Sequence, residues 1–84
     1  MGNITVNVDL IRYRIHRASG TLDRYKSDLV GELIGREYTL NDEIALIRQK
    51  EEKPEKYAEY SAYADACVEA VNAEFARCEA EVTK

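Results

Sequence analysis

Residues 54–82 read PEKYAEYSAYADACVEAVNAEFARCEAEV. Within them Tyr57, Tyr60, Ala64, Cys67, Val71, Phe75, Cys78 and Val82 follow one another in steps of three and four. That spacing places one apolar stripe along one side of an α-helix. Pro54 fits the first helical position, where its missing N–H costs nothing, and it forces Lys53 out of helical geometry. The reading is a helix over 54–82, about 42 Å long. Its back is rich in alanine (Ala58, Ala62, Ala66, Ala70, Ala73, Ala76 and Ala80), the best helix former and small enough to let another helix come close.

The same rhythm occurs earlier, in Ile11, Ile15, Ala18, Leu22, Tyr25, Leu29 and Leu33. Asp9 is placed to cap the start of this helix. Ser19-Gly20-Thr21 is poor helix chemistry, yet the stripe keeps its phase across it. The expectation is therefore one continuous helix over 9–34, kinked at Gly20 and closed by Gly35 as the residue after its C-cap. Between the two long elements, Thr39 with Asp42 three residues on resembles a capping box with a short-armed acid. Leu40, Ile44 and Ile47 give a narrow stripe, and the polar run 49–53 ends this short helix, read as 40–52.

Residues 4–8, ITVNV, alternate apolar and polar as a strand does. No second strand pattern accompanies them, so residues 1–8 are read as an extended arm, with pairing to a second subunit as the alternative. The fold expectation is all-α: a single domain over 1–84 with two long helices, one short one and coiled-coil-like packing behind a short arm. A single pair of long helices leaves parts of both stripes uncovered. A homo-oligomer, a dimer first, is the natural remedy for a chain of 84 residues.

Charge is divided unevenly. Residues 1–36 hold six Arg/Lys against four Asp/Glu, a balance of +2, and residues 37–84 hold six against twelve, a balance of −6. The simplest consequence is a basic helix packed beside an acidic one. The overall charge of −4 argues against sequence-independent binding to duplex nucleic acid, which needs a broad basic surface. MGNITVNVDL lacks an apolar core and a leading positive charge, and no apolar run approaches the roughly 18 residues of a membrane span. A cytoplasmic protein with no membrane partner is expected.

Few residues point to chemistry. Cys67 and Cys78 are eleven positions apart on one helix, about 16 Å along its axis, too far for a disulfide with one another and outside any zinc spacing. They are read as buried, reduced core residues. His16 is the lone histidine and has no neighbouring nucleophile or acid, which makes it a surface residue. No phosphate-binding glycine loop, metalloprotease helix or nucleophile elbow is present. The chain is read as a non-enzyme without cofactor or metal. Two constellations remain. Arg14, Arg17 and Arg24 share one helix face beside Tyr13, a set suited to a small anionic ligand or nucleotide. Tyr57, Tyr60 and Tyr63 form a cluster that suits an interface, where one end of each ring is apolar and the other wet.

YTLNDEIALIRQKEEKPEKYAEYSAYADACVEAV, residues 38–71, resembles small uncharacterised proteins encoded by phages and prophages of Gram-positive bacteria. The shared features are a DEIAL-type helix start, a charged turn with proline and a Tyr-rich helix containing cysteine. The resemblance implies no defined activity. It favours a binding protein acting through protein–protein contacts, including one that counters host defence by engaging a host protein. Sequestration of a nucleotide signal, or a place in the virion or its assembly, are the alternatives.

Overall fold

A computed structural model describes residues 4–84. It is all-helical, with no strand among the described residues. Four helices follow one another: α1 (Leu10–Ser19), α2 (Leu22–Gly35), α3 (Leu40–Arg48) and α4 (Pro54–Val82). The long α4 is the spine of a molecule extending 49 × 24 × 17 Å. The other segments are laid along it in series. α1 lies beside Phe75 and Glu79 of α4. α2 runs antiparallel to α4, from Tyr25 beside Phe75 to Leu33 beside Cys67 and Val71. α3 meets α4 near Tyr60.

The bounds of α4 match the sequence reading at both ends, and every residue of its apolar stripe is buried or half-buried. Cys67, Val71 and Cys78 are its fully buried members. The two thiols are free, and burial pushes both above the ordinary thiol range, which favours the protonated form.

The first helix departs from expectation. The chain breaks at Gly20, whose φ of 72° lies in the left-handed region. The Gly20 N–H donates to Arg17 O and the Thr21 N–H donates to His16 O, the two bonds that close a Schellman motif. The continuous helix over 9–34 is thus two helices, and the continuity of the stripe across Ser19-Gly20-Thr21 is a coincidence of spacing. Beyond the break, Leu22, Tyr25, Leu29 and Leu33 face α4 as read. Before it, Ile11, Ile15 and Ala18 face outward, and Leu10 and Tyr13 pack inward instead. Gly35 is the last residue of α2 rather than a left-handed cap; Arg36 (φ −70°) holds that place.

α3 begins with the full capping box: the Asp42 N–H donates to Thr39 Oγ1 at 3.1 Å and the Thr39 N–H to Asp42 Oδ2 at 3.0 Å. It ends at Arg48 rather than at residue 52, because residues 49–53 present no apolar side chain to hold another turn against α4.

The N-terminal arm keeps its alternation without any sheet. Val8 is buried in the cluster of Tyr13, Tyr25 and Cys78, while Ile4 and Val6 pack half-buried toward Leu33, Cys67 and Val71. Its backbone carbonyls find side chains in place of a partner strand. Arg36 Nη1 donates to Thr5 O at 3.3 Å, and Arg77 Nη2 to Val8 O at 3.4 Å. The first three residues of the arm read at 1–8 lie outside the described residues.

Candidate functional site: two outward helix faces

The basic constellation does not assemble as a ligand site. The turn at Gly20 rotates Tyr13 into the core, where it is 3% exposed and edge-on to Phe75 at 5.3 Å. Its hydroxyl donates to Glu79 Oε2 at 2.8 Å. Burial, followed by that bond, raises the Tyr13 phenol above its usual range. Arg17 is committed to the same carboxylate: its Nε donates to both Glu79 oxygens at 3.0 Å, and Nη2 lies 2.9 Å from Oε1. The hydrogen bonds from Arg17 and Tyr13 hold Glu79 below the ordinary carboxylate range. Arg14 and Arg24 are exposed on separate helices. The expected basic-against-acidic helix packing thus comes down to one ion pair, Arg17–Glu79, among the described residues linking α1 and α2 to α4.

His16 is half-buried rather than a free surface residue. Its Nδ1 shares a 2.7 Å hydrogen bond with Thr21 Oγ1, and its ring stacks on Tyr25 with centroids 4.4 Å apart. The Thr21 hydroxyl is therefore drawn away from the start of α2, which has no side-chain cap.

The tyrosines clasp the chain to itself. Tyr60 donates to Glu43 Oε1 of α3 at 2.8 Å, and that bond, with partial burial, pushes its phenol up to about 12. Tyr63, off the apolar stripe in sequence, donates to Leu33 O at 2.9 Å. Tyr38, in the α2–α3 connection, is edge-on to Tyr60 at 5.1 Å and tilted against Tyr63 at 5.8 Å. Tyr57 lies 6.2 Å from Tyr60, with the Lys50 ammonium 5.8 Å from its ring centre. Sequence reasoning singled out the three tyrosines of α4 and missed Tyr38, Glu43 and Glu79, the partners that come from other segments.

The large hydrophobic residues left exposed are all aliphatic. Ile11 and Ile15 of α1 are 70% and 58% exposed. Leu40, Ile44 and Ile47 of α3 are 70%, 43% and 55% exposed. On α1, the midpoint of the two isoleucines lies about 180° round the helix from Tyr13, so packing of Tyr13 on α4 obliges them to face water. On α3, Glu43 and Leu46 turn toward α4, leaving the Leu40–Ile44–Ile47 stripe on an outer flank. Isolated apolar side chains are ordinary on a surface, whereas neighbouring ones on one helix face are less so. A shallow open trough also runs along Ala58, Ala62, Ala66 and Ala70, bordered by Ile4 and Tyr38. No buried side-chain polar atom among the described residues lacks a partner, and no group of three His, Cys, Asp or Glu converges there. No described helix is long and apolar enough to cross a membrane.

No protein-family model matches the chain, and neither a curated protein nor a solved structure is significantly similar to it.

Proposed function

We propose that this protein is a non-enzymatic binding protein that works through protein–protein contacts made by the outer faces of α1 and α3. The observation that carries the reading is the exposure of Ile11, Ile15, Leu40, Ile44 and Ile47 on two short helices, in a chain that buries only seven hydrophobic residues among those described. Placing five large aliphatic residues in water forgoes burial worth roughly 1.5–3 kcal/mol each. A small chain sustains that cost when a partner covers them. The resemblance of residues 38–71 to phage and prophage proteins supports a mobile-element setting, with a host defence protein as the target.

The test is affinity capture from a Gram-positive host lysate, with wild type and Leu40→Lys/Ile47→Lys compared at equal helicity. A protein retained at stoichiometric level by wild type and released by the variant is the expected result. Equal retention by both, or no retained protein, overturns the host protein as the target of these faces.

The alternative of a small anionic ligand keeps one supporting observation: Arg12, Arg14 and Arg24 are exposed and enter no ion pair among the described residues. A thermal shift with cyclic or dinucleotides that Arg14→Ala abolishes would move the assignment to these arginines.

A further inference from the structure

The two outward faces match one another. On α1, Ile11, Ile15 and Ala18 stand at positions 0, 4 and 7; on α3, Leu40, Ile44 and Ile47 stand at the same spacing. The two helices are ten and nine residues long, so the stripes have equal reach. Their charges are complementary. α1 carries Arg12, Arg14 and Arg17 and no carboxylate. Arg17 is taken by Glu79, and Arg12 and Arg14 are left on either side of the isoleucine stripe without an ion partner among the described residues. α3 carries Asp42 and Glu43 in its first turn, and Glu43 borders the stripe with Oε2 still open once Oε1 has accepted from Tyr60. Arg48, the one cation of α3, stands at the opposite end of that helix.

The faces cannot meet within one chain. α1 is held at Glu79 and α3 at Tyr60, nineteen residues apart on α4 and hence about 28 Å along it. Two copies with antiparallel spines bring the α1 end of each beside the α3 end of the other. Pairing α1 with α1 would instead set Arg12 and Arg14 of both copies against each other, and like charges across a desolvated seam are repulsive.

We infer that the occupant of these faces is a second copy of this chain, with α1 of each protomer seated on α3 of its partner in a two-fold symmetric dimer. The inference rests on the reading of α1 and α3 as contact faces and names their partner. Each protomer contributes both faces, so one symmetric association covers all five aliphatic residues.

The arrangement is tested by complementation. Ile15→Glu damages α1 and Ile44→Lys damages α3, both at exposed positions that leave the core untouched. Wild type should be a dimer of 9.6 kDa chains by light scattering and native mass spectrometry. Each variant alone should be a helical monomer, its dimerisation loosened on the order of 100-fold by a charge placed in the seam. Mixed in equal amounts, the two should regain dimers. The intact α3 of one then faces the intact α1 of the other, and the introduced acid and the introduced base oppose each other across the second seam. If either substitution lowers helicity, Ile11→Glu and Ile47→Lys take their places.

A monomeric wild type overturns the inference and leaves the protein-contact reading to its own capture experiment. A dimer that survives both substitutions, or a mixture that stays monomeric, overturns the pairing. Dimerisation with no host protein captured would sink the host-target reading and leave the pairing intact.

Discussion

Leu33→Ala tests the packing on which the whole arrangement depends. Leu33 is 2% exposed and joins Cys67 and Val71 in the cluster that fastens α2 to the middle of α4. Ile4, Val6 and Tyr63 close over the same cluster, so the arm leans on this side chain as well. Removing a buried leucine beyond Cβ costs about 2–5 kcal/mol, more where the surroundings cannot collapse. Here two neighbours sit on the long helix α4, whose backbone cannot move inward locally, which favours a value of about 3 kcal/mol. The bond from Tyr63 to Leu33 O is made to backbone and survives the substitution. A domain of this size has about 4–12 kcal/mol of stability, so the loss is a large share of it. Melting should fall by roughly 12–24 °C at 4–8 °C per kcal/mol. The assay is thermal and urea unfolding by circular dichroism at a fixed protein concentration, since any association would add concentration-dependent stability. A loss below about 1 kcal/mol would refute the placement of Leu33 between α2 and α4.

Glycine substitutions should split in sign. Gly20→Ala forces a Cβ into the left-handed region and should cost about 1 kcal/mol. Gly31→Ala, inside α2 with open space around the added Cβ, should gain about 0.5–1 kcal/mol, both read from chemical denaturation. Tyr60 should be among the last phenols to ionise, near pH 12, in a titration followed by phenolate absorbance. Its folded value lies above the ordinary 10, so its contribution is complete below pH 10 and is lost as pH rises toward 12; Tyr60→Phe should remove that component. Glu79 has the opposite sign. Its folded value lies below 4.5, so stability from its contacts is present above that pH and is lost as pH falls through the folded value. Glu79→Gln should flatten acid unfolding in this range, and an unchanged acid limb would refute the contact with Arg17 and Tyr13.

Much of the fold was legible because α4 carries unambiguous signals: proline at its first turn, a stripe held for about seven turns and no break within. The capping box of α3 was legible for the same reason, since Thr39 and Asp42 act on local backbone. The break at Gly20 was misread because helix periodicity counts spacing and is blind to a rotation between two segments. Ile11 and Ile15 fit the count continued from Leu22, yet tertiary packing preferred the face of Leu10 and Tyr13, where a hydroxyl reaches Glu79. Such a preference depends on a residue 66 positions away and has no local trace. The arm was half legible. Its alternation showed which residues turn inward, whereas the capture of its carbonyls by Arg36 and Arg77 depended on the completed fold. The basic constellation failed with the helix that carried it, and the outward aliphatic faces could be seen only once the inward ones were known.

The serial arrangement along α4 orders folding in time. Contacts with α4 span 17 residues at Glu43–Tyr60, 30 at Leu33–Tyr63, 66 at Tyr13–Glu79 and 69 at Val8–Arg77. Loop-closure entropy grows with span, so the chain should zip from the α3–α4 corner toward its N-terminal arm, and amide exchange should be fastest where the zip finishes. During synthesis the order is reversed: the arm, α1 and α2 leave the ribosome before Cys67, Val71 and Cys78, against which all three pack. The arm, α1 and α2 therefore emerge before the surface they cover.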